Sequence, residues 1–208
     1  GIPTIQYVGP QVWAWRADRM EGIKRAVSRV LTLFPFETEL YERAGVPVSF
    51  VGHPLADMVP LQFDRAEARA QMRLARASSV IALLPGSRVS ELQYHAQLFV
   101  QTAAALLRKH PEAFFLVPLV SQPTRSLFEQ ALASSDIDPE RVRLMHAHAQ
   151  HALACADVAL VASGTATLEA ALFKCPMIIT YRLSKLSYYL MSRKMTLPFV
   201  GLPNVLAN

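Results

Sequence analysis

Eight short apolar runs punctuate the chain, at residues 4–8, 29–34, 49–52, 80–84, 114–119, 141–145, 158–161 and 177–180. They are rich in Val, Ile, Leu and Phe and are nearly continuous in apolarity. That pattern predicts parallel strands buried on both faces. Between them, apolar positions recur at helical spacing. The clearest case is 91–109, where Leu92, Ala96, Phe99, Ala103 and Leu106 form one stripe. Further helices are predicted over 37–43, stopped by Gly45 with Pro47 beyond, and from Asp64 to about Arg73, where Asp64 and Glu67 make a capping box. Shorter ones are predicted over 127–133, 151–155 and 167–173. The segment 183–194 mixes Leu, Tyr and Met with Lys and Arg, as an amphipathic surface helix does. Residues 202–208 read as an end without a closing helix. The alternation predicts an α/β fold with a parallel sheet and helices on both faces. A strand ends in glycine at Val51-Gly52-His53-Pro54, and polar sequence follows. We therefore expect residues 1–52 to be the tail of one α/β domain and 53–208 most of a second.

Composition narrows the class. Hydrophobic residues make up 52% of the 208 and charged residues 18%, which excludes disorder. Two Cys cannot staple a chain of this length. Cys155 and Cys175 form no CxxC pair, which fits reduced thiols in a cytosolic protein. No run approaches the ~18 apolar residues of a membrane span, and the start lacks the features of a signal peptide. The start runs directly into strand-like sequence, so the chain is expected to be a fragment of a longer protein, cut at both ends.

The net charge of +5 is uneven. Residues 1–30 carry +3 and residues 171–208 carry +5, which leaves the middle at −3. Basic ends suit an anionic partner, whether phosphate, nucleic acid or acidic membrane. Ordinary solvated Lys and Arg give the same pattern. No aromatic-basic interleaving or helix-turn-helix signal supports nucleic acid.

In a doubly wound sheet, ligands bind at the carboxyl ends of the strands, and two predicted strand ends carry glycine turns. The first is Leu84-Pro85-Gly86-Ser87-Arg88. Gly86 allows close backbone approach, Ser87 offers a hydroxyl, and Arg88 can hold a phosphate with paired hydrogen bonds. The second is Ser163-Gly164-Thr165-Ala166-Thr167, opening a helix whose free amides make an anion site, with Glu169 placed to accept from ribose hydroxyls. Ordinary turn and capping chemistry would produce the same residues. The chain has no GxGxxG and no GxxxxGK[ST]. His146, His148 and His151 form an HxHxxH cluster, which reads as a solvated junction rather than a metal site because no acidic or Cys partner is close. His53 either touches a ligand or caps its turn. Trp13 and Trp15 read as core anchors or part of an acceptor cleft.

Together several blocks resemble the bacterial lipid-A-disaccharide synthase family. They are Tyr7-Val8-x-Pro10-x-Val12-Trp13-Ala14-Trp15, Pro35-Phe36-Glu37, Val51-Gly52-His53-Pro54, Leu83-Leu84-Pro85-Gly86-Ser87-Arg88-x-x-Glu91, Ala162 through Glu169, Lys174-Cys175-Pro176-Met177, Tyr181-Arg182 and Leu202-Pro203-Asn204. The resemblance implies a GT-B glycosyltransferase with Rossmann-like domains. The implied reaction transfers 2,3-diacylglucosamine from UDP to 2,3-diacylglucosamine 1-phosphate, giving a β-1,6 disaccharide 1-phosphate and UDP. It requires no cofactor and no metal. In the family's pattern Gly86, Ser87 and Arg88 face the diphosphate, Ser163, Gly164, Thr165, Ala166 and Thr167 serve the phosphates, and Glu169 binds the ribose. Asn204 reaches the nucleotide, from the same chain or from the other subunit of a homodimer. Arg88 and Asn204 are the implied catalytic residues. The family's base carboxylate would precede Gly1. The implied setting is the anionic cytoplasmic face of the inner membrane. The alternatives are another UDP-sugar enzyme of the same fold, such as a UDP-N-acetylglucosamine epimerase or a peptidoglycan glycosyltransferase, and a non-enzymatic basic module on an anionic membrane.

Overall fold

A computed structural model describes residues 2–10, 19–74, 79–184, 188–189 and 200–207. These fall into two compact units, residues 2–60 with 188–189, and residues 61–184 with 200–207.

The first unit holds β1 (Ile5–Tyr7), α1 (Met20–Ala26), β2 (Arg29–Thr32), α2 (Pro35–Arg43), β3 (Val48–Phe50) and α3 (Pro54–Met58). The three strands are parallel, in the order β1-β2-β3. Val30, Tyr41 and Val46 form the small core, with Ile23, Leu40 and Val48 packed against it. Pro35 opens α2 at a position where its missing N–H costs nothing. The carboxylate of Glu37, 3% exposed, accepts from the Leu33 and Phe34 amides and so fixes the turn before the helix. Burial, with the Glu37 charge second, pushes the Tyr41 phenol up to about 12.

The second unit continues with α4 (Arg65–Gln71), β4 (Val80–Leu84), α5 (Val89–Leu107), β5 (Phe114–Leu119), α6 (Gln122–Ala133), β6 (Val142–His146), α7 (Ala149–Cys155), β7 (Val158–Ala162), α8 (Thr165–Leu172), β8 (Met177–Thr180) and α9 (Leu202–Ala207). Five parallel strands run in the order β6-β5-β4-β7-β8. Every residue of the central strand β4 is buried, which is why its sequence shows no alternation. The stripe Leu92, Ala96, Phe99 and Ala103 packs α5 onto one face beside Phe128 and Ala131 of α6. Helices α4, α7 and α8 form the other layer. On that face Arg69 donates to the Cys155 carbonyl at 2.8 Å and pairs with Asp157 at 2.7 Å, while Asp157 accepts from the Val80 amide. The start of β4 is thereby tied to the chain entering β7.

Pro118 lies inside β5, where a proline would normally break a ladder. Phe114 turns its amide toward the β4 side, donating to the Ser79 carbonyl at 2.8 Å. Pro118, four residues on, turns the same way, but pairing with β4 ends at Leu116. The next bond of that ladder would need the N–H that Pro118 lacks, so the pairing of β5 with β4 stops there while β5 continues against β6.

All eight predicted strands are present, each within two residues of its expected bounds. Three α-helices were not expected from periodicity: α1, α3 and α9. The expectation that the end lacks a helix is corrected by α9, whose single buried residue, Leu202, is too little to show a period. Of the expected helix over 183–194, Leu183 and Ser184 are described and are not helical, and Tyr188 and Tyr189 are described as helical and exposed. The rest, like Trp13 and Trp15, lies outside the described residues.

The core assignment has a direct test. Phe99→Ala removes a side chain with no exposure and should cost about 3–5 kcal/mol in urea unfolding. Ile178→Ala, at a position 65% exposed, should stay within about 0.5 kcal/mol of the parent.

Candidate functional site

Strand order decides where a site can form. From β4 the chain moves outward to β5 and β6, then returns to the opposite side of β4 for β7 and β8. The reversal falls between β4 and β7, whose Leu84 and Val161 are register partners. Connections leaving adjacent strands in opposite directions open a crevice at their carboxyl ends. Both glycine turns leave from these ends, Pro85–Arg88 from β4 and Ser163–Gly164 from β7.

The first turn is held by a carboxylate. Glu91 accepts from the Ser87 amide at 2.8 Å and the Arg88 amide at 3.2 Å, and its other oxygen lies 3.3 Å from Arg88 Nη1. Gly86 has φ +122°, and a Cβ there would stand 2.6 Å from Glu91 Oε2. Only glycine fits. The Ser87 and Arg88 amides are thus occupied within the turn. The groups facing solvent are the Ser87 hydroxyl and the Arg88 guanidinium, with the Arg88 side chain 77% exposed.

The second turn is an open helix start. Gly164, at φ +154° and ψ −163°, gives α8 no capping side chain, so the Thr165 and Ala166 amides begin the helix without an intrahelical acceptor. Thr167 turns inward instead, donating to the Gly164 carbonyl at 2.7 Å, and is fully buried. Ser163 donates its hydroxyl to the Val200 carbonyl, which ties the turn to the segment leading into α9. A Cβ on Gly201 would meet Ile179 at 2.4 Å and Asn204 Oδ1 at 2.8 Å, so glycine lets this segment close onto β8. Helix α9 packs on α8, and Asn204 is exposed on it, in the same unit as both turns.

Burial raises the Glu169 carboxyl above its ordinary 4.5. Burial also pushes the Cys175 thiol up to about 11 and raises Cys155, so neither buried sulfur is a ready thiolate. His53 caps α3, its Nδ1 accepting from the Leu55 amide at 3.2 Å, and burial lowers its pKa. His148, at φ +58°, starts α7 with its ring against His151. Among the described residues, no three His, Cys, Asp or Glu side chains are grouped to hold a metal ion. Two hollows, about 300 Å³ beside Phe63 and Lys174 and about 560 Å³ beside Leu132 and Ile137, lie where strands begin, at the opposite end of the sheet from the turns.

One buried polar residue escaped the sequence reading. His95 of α5 has no exposure, and its Nδ1 lies 2.8 Å from the Pro85 carbonyl oxygen. The available signal was a histidine inside the Leu92–Phe99 apolar stripe.

A family model described as lipid-A-disaccharide synthetase matches residues 2–208. The chain is 55% identical over 206 residues to the lipid-A-disaccharide synthase of Azoarcus sp. (strain BH72), covering 99% of this chain and 53% of that protein. It is 48% identical over 207 residues to the one of Pseudomonas syringae pv. syringae (strain B728a), covering 100% of this chain and 54% of that protein. The chain thus spans about half the length of the curated relatives it matches. Among solved structures, the UDP-GlcNAc 2-epimerase of Neisseria meningitidis, bound to UDP-GlcNAc, matches with a TM-score of 0.56 at 14% identity, over 87% of this chain and 52% of that one. The UDP co-structure of S. aureus MnaA matches with a TM-score of 0.54 at 12% identity, over 88% and 50%. At such identities the likeness is one of fold, the Rossmann-like parallel sheet of the GT-B type.

A carboxyl raised by burial favours the protonated folded state, so its contribution to stability is full at low pH and is lost as pH rises through the folded value. Glu169→Gln should therefore raise the thermal midpoint at pH 7. It should leave the midpoint unchanged at a pH acid enough to protonate the parent carboxyl, as calorimetric scans at the two pH values would show.

Proposed function

The chain belongs to the lipid-A-disaccharide synthetase family, and on that premise we propose that its second unit is the UDP-sugar-binding part of a lipid A disaccharide-forming glycosyltransferase. The division expected from the sequence, 1–52 for the acceptor-side Rossmann-like domain and 53–208 for the nucleotide-sugar domain, is kept in this reading except that α3 and residues 188–189 go with the first unit. The supporting observation is the placement of the Gly86-Ser87-Arg88 turn and the Ser163–Thr167 turn on adjacent strand ends at the reversal of strand order.

In this reading UDP-2,3-diacylglucosamine is the donor and 2,3-diacylglucosamine 1-phosphate the acceptor. The sugar C1–O bond to UDP breaks as the acceptor's 6-hydroxyl oxygen bonds to C1. The hydroxyl proton passes to a general base that is none of the site residues. UDP departs with an added negative charge, so donors aimed at the diphosphate lower the barrier. Arg88 supplies the mobile positive charge, and the Ser87 hydroxyl a hydrogen bond. The Thr165 and Ala166 amides supply fixed donors at a positive helix end. Glu169 accepts from the ribose, and a carboxyl raised by burial regains much of its ionised character by accepting two hydroxyl donors. Asn204, brought to this unit by the Ser163–Val200 link, reaches the nucleotide from the same chain. No metal or cofactor takes part in this scheme.

No helix among the described residues is long and apolar enough to cross a membrane. Acylated substrates suit a reaction at a membrane surface, which this reading takes to be the cytoplasmic face of the inner membrane. The basic excess of residues 171–208, and the exposed Tyr188 and Tyr189, suit peripheral contact with anionic lipid. A homodimer is compatible with this reading and is not required for Asn204 to act.

Calorimetric titration of the folded 208-residue chain with UDP should give a measurable heat, and absence of any binding would reject the nucleotide site. Arg88→Ala should weaken UDP by about tenfold or more, the loss of a charge-assisted contact. Arg125→Ala, which breaks a pairing with Glu129 on α6, should change it less than about twofold. Equal effects would remove Arg88 from the site.

A further inference from the structure

The imidazole of His95 connects two backbone segments. Its Nε2 lies 2.9 Å from the Arg182 amide nitrogen, and its Nδ1 lies 2.8 Å from the Pro85 carbonyl oxygen. An amide can only donate, so Nε2 accepts and the ring proton resides on Nδ1, which donates to Pro85. The bond to Pro85 is shielded from water, since His95 and Pro85 are both buried, and the bond to Arg182 is part-buried at an exposed residue. The ring is held edge-on to Tyr181, centroids 5.6 Å apart, and tilted against Phe99 at 5.9 Å.

The two segments joined are the ones that matter for the turns. Pro85 immediately precedes Gly86-Ser87-Arg88. Arg182 lies two residues beyond Thr180, whose carbonyl accepts from the Ser163 amide at 2.8 Å. A path of hydrogen bonds therefore runs from the first turn through His95 to the chain leaving β8, and from there to the second turn. Helix α5 supplies the ring, so the brace is anchored in the main core. No other side chain type combines a donor and an acceptor at this spacing on a rigid ring. Asn places an amide donor near the Nδ1 position, and Gln an acceptor near the Nε2 position, each replacing only half.

We propose that His95 is a positioning residue for the nucleotide. Through Pro85 and Arg182 it fixes the first turn against the end of β8, and so sets the separation of the two donor groups that receive the diphosphate. The inference rests on the nucleotide reading above. His95 does not touch the reacting atoms. Its effect is to hold Arg88 and the α8 amides in one geometry before UDP arrives, which lowers the ordering cost of binding.

The test uses the 208-residue chain with ¹⁵N-labelled histidine and backbone amides. Two-bond imidazole spectra should show His95 as the Nδ1–H tautomer, and an Nε2–H tautomer would overturn the brace. His95→Leu should weaken UDP by about tenfold, and His95→Asn and His95→Gln by about threefold each. Gln should retain the Arg182 amide shift and alter Gly86, and Asn should do the reverse. Should His95→Leu fail to fold, the Asn and Gln variants carry the test. A lower thermal midpoint with unchanged UDP affinity in the folded variants would show a merely structural histidine and reject the proposal. If the unsubstituted chain binds no UDP, the nucleotide reading fails, and the positioning role with it. UDP binding that is indifferent to His95 defeats only this inference.

Discussion

Everything near the two turns depends on the pairing of β4 with β7. That pairing is parallel, it spans Ile81 to Leu84 against Val158 to Val161, and it sits where the strand order changes direction. A βαβ unit that moves always one way lays its helix over the next strand end and closes it. The return across β4 leaves two neighbouring ends uncovered. The reversal is made possible by β4 itself, which is buried throughout and can pair on both edges. The Asp157–Arg69 pair then fixes where β7 starts, because Asp157 also accepts from the first amide of β4. Fixing the starts of two paired strands fixes their ends.

With strand ends set, the turns need only local rigidity. They reach it differently. The β4 turn consumes its own amides in the Glu91 carboxylate and presents side chains. The β7 turn has no capping side chain and presents amides. One end contributes a long, mobile cation, the other a fixed dipole. In the proposed reading, a diphosphate lying across them would meet both kinds of donor. Neither turn alone offers that combination, which is why either motif taken singly is weak evidence of a site.

The central strands β4 and β5 were legible in the sequence because strands buried on both faces write themselves as uninterrupted apolar runs. Strands β1, β3 and β8 also carry apolar runs but leave Ile5, Phe50 and Ile178 exposed, so burial on both faces does not hold for them. Helix α5 was legible because nineteen residues give its stripe several repeats. Helices α1, α3 and α9 were not, since five to seven residues with few buried side chains carry no readable period. The turn residues could be picked out by their types, Gly86 and Gly164 above all. Their adjacency could not, because strand order is a tertiary choice that no local pattern records. His95 was hidden for a related reason: it occupies a core position of a stripe and earns its place through backbone atoms of Pro85 and Arg182, distant in sequence from each other. Residue types reveal side-chain partners more readily than they reveal backbone ones.

The two units use one device for different ends, and the comparison separates scaffold from chemistry. In each, a strand ends, a short turn follows, and a Glu at the third helical position accepts from two turn amides. Glu37 does this for Leu33 and Phe34, and Glu91 for Ser87 and Arg88. The carboxylate's work is the same in both places, satisfying amides that would otherwise lack partners at a helix start. The difference lies in what the turn carries. Leu33-Phe34-Pro35-Phe36 offers aromatic rings, with Phe34 stacked on Phe36. Pro85-Gly86-Ser87-Arg88 offers a hydroxyl and a guanidinium on a backbone that glycine alone can follow. Glu91 therefore belongs to the scaffold even though it stands inside the most recognisable motif of the chain, and any ligand specificity of that turn resides in Ser87 and Arg88.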